Sequence, residues 1–329
     1  MIRVMEESRL LNCRETADRL MEMDKILILT HKNPDGDTLG SAAALCSALE
    51  RAGKTARLYP NPQITDRLVP FVNRFLADEG YSWEKVVSVD SGSRDILAEG
   101  FEGDVDLLVD HHPTNTLFAP YCCVMPQKAA CAEIVLEIIE NIGIGGTEEE
   151  ADLMYIGLST DTGCFQYSNT TSETHYAAAA LIEYGADSTE LNRLFFNSDK
   201  RSRVALEAVL LNSFEFYHDD KVVVQTVTVE DVKKTGARGD DFDSIASIPT
   251  RISGTVLGVT VREREDGNCK VSLRSVPGFS CMGICTHFGG GGHATAAGYT
   301  APGKAAEVKR ELLEFIDSVW DENSEAAGK

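Results

Sequence analysis

Short apolar runs separated by helix-period patterns dominate the first half of the chain. Lys25–Thr30 (KILILT) is a continuous apolar run of the kind that forms a fully buried strand. Behind it, Ala42, Leu45, Cys46 and Leu49 recur at i, i+3, i+4 and i+7, which predicts an amphipathic helix ending at Gly53. Further strand-like runs stand at Thr55–Tyr59, Val86–Val89 and Val105–Val109, with helical stretches between them. Thr147–Glu150 (TEEE) reads as a capping box that opens a helix through Leu158, and Asp187–Glu190 (DSTE) opens another in the same way. Strands alternating with helices predict βαβ units, and right-handed crossovers stack such units into a doubly wound, mostly parallel sheet.

The pattern changes after about Leu191. A helix around Ser202–Phe214 leads to an alternating strand, Val222–Val229, and then to the polar stretch GARGDDFD. Strands Thr255–Arg262 and Lys270–Val276 are joined by the turn EDGN, and the glycine run Gly289–Gly292 precedes a final strand and a helix from Lys304 to Val319. The last residues, DENSEAAGK, are expected to fray. We read an α/β chain of two domains with an interdomain cleft. The parallel-sheet domain covers residues 1–190, a junction helix 191–215, and a smaller α/β domain with antiparallel hairpins 216–329.

Composition supports this and narrows it. The 329 residues suit two domains of ordinary size, and 43% hydrophobic with 25% charged residues excludes a disordered chain. No stretch is apolar enough to span a membrane, and MIRVMEESRLLN carries scattered charges rather than a secretion signal. Nine cysteines without a CxxC pair suit reduced thiols, hence a cytoplasmic protein without a membrane partner. The net charge of −21 argues against a grip on long nucleic acid, which needs clustered Lys and Arg.

Acidic and histidine residues nevertheless gather where the strands end. His31 follows KILILT, and Asp35 and Asp37 lie in HKNPDGD. Asp90 closes VVSVD; Asp110 closes VDLLVD and is followed by His111 and His112; Asp161 stands in STDTG, before Gly163. Ligands of open parallel sheets bind beyond the carboxyl ends of the strands, so three strands deliver this chemistry to one edge. The set His31, Asp35, Asp37, Asp90, His111 and Asp161, with His112 beside it, holds too many carboxylates for one ion. Carboxylates packed so closely repel unless cations neutralise them. Oxygen and imidazole donors suit manganese or magnesium, and a pair of ions sharing carboxylates drives phosphoester hydrolysis.

HKNPDGDTLGS, VDSGS, VDHHP and STDTGCF, in that order, closely resemble the motifs of the DHH phosphoesterase superfamily, with Asp110, His111 and His112 as the name-giving triplet. GGGGHATAAG, preceded by VREREDGNCKVSLRS, resembles the glycine-rich signature of the DHH-associated C-terminal domain. The compact two-domain form looks like the branch of bifunctional oligoribonucleases and pAp phosphatases, the nanoRNases. The resemblance implies two manganese ions, with magnesium or cobalt as substitutes. One would be held by His31, Asp35, Asp90 and Asp161, the other by Asp37, Asp90, His111 and Asp161. It implies a substrate-contacting or proton-donating role for His112, with Asp110 orienting His111 or His112. Asn33 lies inside the first motif as a candidate substrate contact.

In the second domain the resemblance implies that Arg262, Arg274, Ser275 and His293 hold the nucleotide end remote from the metals. Gly290, Gly291 and Gly292 would offer backbone N–H groups as an anion nest, and guanidinium forks match phosphate oxygens. The fourth glycine departs from the common pattern and leaves the N–H donors open. The implied substrates are very short RNA oligonucleotides, released as mononucleotides, and 3′-phosphoadenosine 5′-phosphate (pAp), with a homodimer left open. Two alternatives remain: a phosphodiesterase of linear or cyclic dinucleotides (pApA, c-di-AMP), and a catalytically silent nucleotide-binding module.

Overall fold

A computed structural model describes residues 8–327, with side chains as far as Trp320. Most of the N-terminal stretch weighed above as a secretion signal lies outside the described residues. The chain divides into two compact units, Met1–Ser198 and Asp199–Lys329.

The first unit runs β1 (Arg9–Leu10), α1 (Cys13–Met21), β2 (Ile26–Leu29), α2 (Gly36–Arg51), β3 (Ala56–Leu58), α3 (Val69–Val72), β4 (Lys85–Val89), β5 (Leu107–Asp110) and β6 (Tyr121–Val124). The helices α4 (Cys131–Ile142), α5 (Glu148–Asp161), α6 (Ser172–Glu183) and α7 (Ser188–Phe196) follow. All pairings in its sheet are parallel, in the order β1-β6-β5-β4-β2-β3. Central strands buried on both faces read as unbroken apolar runs, which is why ILIL in β2 is buried at every position. One face packs Ile26, Ile28, Val87, Val89, Leu107 and Val109 into a core shared with α1, α2, α4 and α5. The other face is closed by loop residues, among them Tyr59, Tyr81, Phe101 and Phe118, against Leu27, Leu29, Val86 and Leu108.

The capping box at Thr147 is present, its hydroxyl accepting from the Glu150 amide, and α5 continues past Leu158 to Asp161. The strand β6 and the helices α1 and α4 complete the unit. They are not singled out in the sequence reading, and α4 begins without a side-chain cap of its own.

The second unit opens with α8 (Arg201–Asn212), then β7 (Glu215–Tyr217), β8 (Val222–Val227), α9 (Val229–Thr235), β9 (Leu257–Glu263), β10 (Asn268–Ser275), α10 (Met282–His287), β11 (Gly291–His293), β12 (Ala296–Pro302) and α11 (Ala305–Ala327). Its mixed sheet has the order β11-β12-β10-β9-β8-β7, with β8 and β9 parallel and the other neighbours antiparallel. Of the segment 191–215 assigned by sequence to a junction, residues 191–198 belong to the first unit and residues 199–215 to this one. Leu206 and Leu210 of α8 are buried with Val227, Ile245 and Ile248. The helix α11 runs through DENSEAA, where the sequence suggests fraying.

Side chains alternate across β9 and β10. Val259, Val261, Val271 and Leu273 enter a core with Leu312 and Ile316 of α11. The opposite face therefore carries Thr260, Arg262, Lys270, Ser272 and Arg274, and register pairs Lys270 with Arg262 and Ser272 with Thr260. All nine cysteines are free thiols. Among the described residues no helix is long and apolar enough to cross a membrane.

Candidate active site

In the first sheet β2 lies between β3 and β4, so connections from β2 and β4 leave in opposite directions along the sheet. A crevice opens beyond the carboxyl ends at such a reversal. His31 and Asp35 follow β2, Asp90 follows β4, and Asp110 ends β5 with His111 and His112 next.

Asp35 is the N-cap of α2, its Oδ1 accepting from the amides of Asp37 and Thr38 at 3.0 and 3.1 Å. Its other oxygen faces His31 Nε2 at 3.6 Å. Asp37, in the first turn of α2, is buried. Its Oδ2 accepts from the Cys131 amide at 2.6 Å and its Oδ1 from the Ala132 amide at 3.0 Å. These are the first amides of α4, whose N-cap Ala130 has no capping side chain, so Asp37 closes that helix from a distant part of the chain.

Glycines let α5 approach closely enough to deliver Asp161. A Cβ on Gly40 would collide with the carbonyl oxygen of Leu153, and one on Gly157 would stand 2.7 Å from Asp37 Oδ1.

Asp90 is a non-glycine residue in the left-handed region, at φ 56°, a conformation Asp adopts more readily than most. Its Oδ2 lies 3.7 Å from His31 Nε2, and its Oδ1 lies 3.4 Å from His111 Nε2. That Oδ1 is buried and, among the described residues, has no hydrogen-bond partner. His111 Nε2 is also 3.7 Å from Asp161 Oδ2 and 3.9 Å from Asp37 Oδ2. Its Nδ1 sits 3.2 Å from the Lys128 carbonyl oxygen, which can only accept, so Nδ1 carries a proton and Nε2 is turned to the carboxylates. The donor atoms of His31, Asp35 and Asp90 lie within 4.8 Å of one another, as do those of Asp37, His111 and Asp161 and those of Asp90, His111 and His112.

The electrostatics express the crowding. Burial, reinforced by the carboxylates of Asp90 and Asp161, raises the Asp37 carboxyl well above its ordinary range. Burial, with Asp90 and Asp35 nearby, pushes Asp161 up to about 6. Burial alone would lower the His111 imidazole, but Asp90, Asp37 and Asp161 outweigh it and raise it to about 10. A cluster that draws protons in this way also suits divalent cations, and an orphaned buried carboxylate oxygen at its centre fits a metal ligand.

Asp110 stands behind this cluster. Its Oδ1 is 2.8 Å from His112 Nδ1, while Asn115 Nδ2 donates to its Oδ2 at 2.6 Å and to the Ser91 carbonyl at 3.1 Å. Of the two orientations the sequence left open, Asp110 takes His112; His111 is held by the Lys128 carbonyl. Asn115 and Lys128 escaped the sequence reading, as did Asn169, whose side chain donates to the carbonyls of Asp161 and Ala129. Asn115 stands five residues from Asp110, but backbone contacts leave no side-chain signal. Asn33 is exposed in the loop before α2.

In the second unit, Thr260, Arg262, Lys270, Ser272 and Arg274 line a cavity of about 370 Å³ with Phe242, Asp243 and Ser244. Among the described residues, Arg262, Lys270 and Arg274 have no carboxylate within ion-pair distance, and Arg274 donates to the Leu273 carbonyl. A larger cavity in the first unit, about 630 Å³, differs: its Arg51 is paired with Glu150 and its Arg74 with Glu149. Lys270 and Ser272 were within reach of the sequence, since the run KVSLRS places them at alternate positions on the face of Arg274.

The glycine run requires a correction. The Gly289 and Gly290 amides donate to the carbonyls of Thr286 and Cys285, and Gly291–His293 form the edge strand β11, so the run is not a nest of successive free N–H groups. The Gly290 amide is engaged within the fold; alternate amides of an edge strand still point away from its partner. His293 pairs with Ala296, which pairs with Arg274, and so lies along the same cross-strand row. The Ser275 hydroxyl donates to the Phe279 carbonyl at 2.6 Å and is left as an acceptor only.

Known proteins match this architecture in the same order. The DHH family N-terminal domain matches residues 25–158, and the DHHA1 domain matches residues 219–322. The chain is 36% identical over 311 residues to the bifunctional oligoribonuclease and PAP phosphatase NrnA of Thermus thermophilus, covering 92% of this chain and 91% of that protein. It is 25% identical over 291 residues to the protein of the same name from Bacillus subtilis, covering 84% and 88%. The crystal structure of an exopolyphosphatase-related protein from Bacteroides fragilis superposes with a TM-score of 0.80 at 26% identity, over 93% of this chain and 97% of that one. The triplet at the end of β5, the second sheet with its basic face and these relatives agree: the chain belongs to the DHH family of phosphoesterases, in the form that carries a DHHA1 domain.

Proposed function

We propose that this chain is a manganese-dependent phosphohydrolase that degrades very short oligoribonucleotides to mononucleotides and removes the 3′-phosphate of pAp. The observation that carries the reading is Asp90 Oδ1, buried without a hydrogen-bond donor between His111 and the other carboxylates. The names of the Thermus and Bacillus relatives support the choice of substrates.

His31, Asp35, Asp90 and Asp161 hold one ion in this reading, and Asp37, Asp90, His111 and Asp161 the other. When bound, such ions supply Lewis-acid polarisation of phosphoryl oxygens and activation of water. The chain's own residues do the rest. Asp110, steadied by Asn115, fixes His112 through Nδ1 and leaves Nε2 to give a proton to the leaving oxygen. Arg262, Arg274 and Lys270 bind phosphate oxygens at the end of the substrate remote from the metals, with His293, Ser272 and the outward amides of β11 along the same face. Asn33, exposed beside His31, contacts the substrate. The net charge of −21 argues against a grip on a long polymer, which favours short substrates. Nine free thiols suit a reducing compartment, and the reading places the enzyme in the cytoplasm.

Rates on pApA, pAp and c-di-AMP, measured side by side with manganese, test it. Turnover of pApA and pAp well above that of c-di-AMP is expected; hydrolysis of c-di-AMP alone would turn the assignment to a cyclic-dinucleotide phosphodiesterase, and no turnover at all would leave a binding module.

A further inference from the structure

Arg262 differs from most arginines of this chain in what it touches. Arg51, Arg57, Arg74, Arg193 and Arg251 each meet a glutamate. Arg19 and Arg74 also lie over rings, those of Tyr121 and Phe75, but each has a glutamate as well; Arg262 has the ring alone, its Cζ 4.2 Å from the centroid of Phe242. It is half-buried, and among the described residues it has no carboxylate partner and no hydrogen-bond acceptor. Burial and the neighbouring Arg264 both act against its charge.

The ring is firmly placed. Phe242 ends a short 3-10 turn, Gly239–Phe242, and packs beside the cluster of Leu206, Leu210, Val227 and Ile245. Arg203 ties the turn to α8 by donating to the Asp241 carbonyl at 2.7 Å, and the Arg238 amide caps it by donating to the Asp241 carboxylate at 2.9 Å. Phe242 and Arg262 then share the wall of the cavity that Lys270 and Arg274 also line.

From this arrangement we propose that Phe242 is a positioning residue: it stacks on one face of the Arg262 guanidinium and holds it ready for a phosphate group of the substrate. The chemistry favours a ring over a carboxylate. A glutamate beside Arg262 would fix it equally well but would occupy the in-plane N–H donors and cancel the charge that the phosphate must meet. A ring attracts the cation through its π face and leaves every N–H donor free. Ordering the side chain before the substrate arrives removes an entropic cost from binding.

This inference rests on the proposed role of Arg262, and the test separates the two. Michaelis parameters on pApA with manganese are measured for Arg262→Ala, Phe242→Leu, Phe242→Tyr and the double variant Arg262→Ala/Phe242→Leu. Phe242→Leu should raise KM about tenfold with kcat nearly unchanged, and Phe242→Tyr, which keeps the ring, should restore KM to within about twofold. In the Arg262→Ala background, Phe242→Leu should add little, because its effect passes through the arginine. Equal effects of Phe242→Leu with and without Arg262, or failure of Tyr to rescue, overturn the proposal. An unchanged KM in Arg262→Ala overturns the phosphate-binding role of Arg262 itself. If Phe242→Leu does not fold, Phe242→Met takes its place in the same comparison.

Discussion

The backbone amide of Cys131 donates to Asp37 Oδ2 at 2.6 Å, so one carboxylate both faces His111 and closes the N-terminus of α4. Asp161 caps no helix; it ends α5, and its carboxylate faces the cluster. Removing either should abolish hydrolysis, yet their effects on stability should differ. In the presence of a chelator, Asp37→Ala should lose about 1–2 kcal/mol through the missing cap. Asp161→Asn should lose nothing and can gain, since it relieves repulsion among carboxylates. Denaturant titrations of the two variants check this; near-normal turnover of metal-saturated Asp161→Asn would count against its role in the centre.

Two glycines make a matched pair. A Cβ on Gly40 meets the Leu153 carbonyl, whereas one on Gly291 meets nothing within 4 Å. Gly40→Ala should force α2 and α5 apart, destabilise by about 1–3 kcal/mol and displace Asp161 from its partners. Gly291→Ala should fold with stability within about 0.5 kcal/mol of the parent and, with β11 on the proposed binding face, show a raised KM. Thermal midpoints together with KM on pApA read both effects. An unchanged KM in Gly291→Ala would remove β11 from the binding face.

These residues show how much was legible beforehand. His31, Asp35, Asp90 and His111 could be read from the sequence because each follows an apolar strand, and strand ends in a parallel sheet share an edge. The closeness of Asp161 followed from its motif, but its cause did not: Gly40 and Gly157 act through space and leave no periodic trace. The cap on α4 and the support behind the histidines were hidden for the same reason. The Cys131 amide and the Lys128 carbonyl are backbone groups, which every residue type possesses. The glycine run was misread because conformational freedom is also what lets a strand press against β12, as Gly290 and Gly292 do. Phe242 was passed over within a polar stretch, where a lone aromatic carries no pattern.

Asn115 should act on the rate rather than on binding. Its amide fixes Asp110, which fixes His112. Asn115→Ala should lower kcat about 10- to 100-fold with little change in KM, the cost typical of loosening a group behind the reacting one. Asp110→Asn should lower kcat at least as far. Steady-state kinetics on pApA distinguish this from a binding role, for which KM would rise instead.

The most direct measurement is product mapping of end-labelled RNAs of graded length, from dinucleotides upward, with manganese and again with chelator. Dinucleotides and their nearest neighbours should be converted to mononucleotides at rates that fall steeply with length, and chelator should stop the reaction. Undiminished cleavage of long RNA, or turnover that persists without divalent cations, would contradict the account.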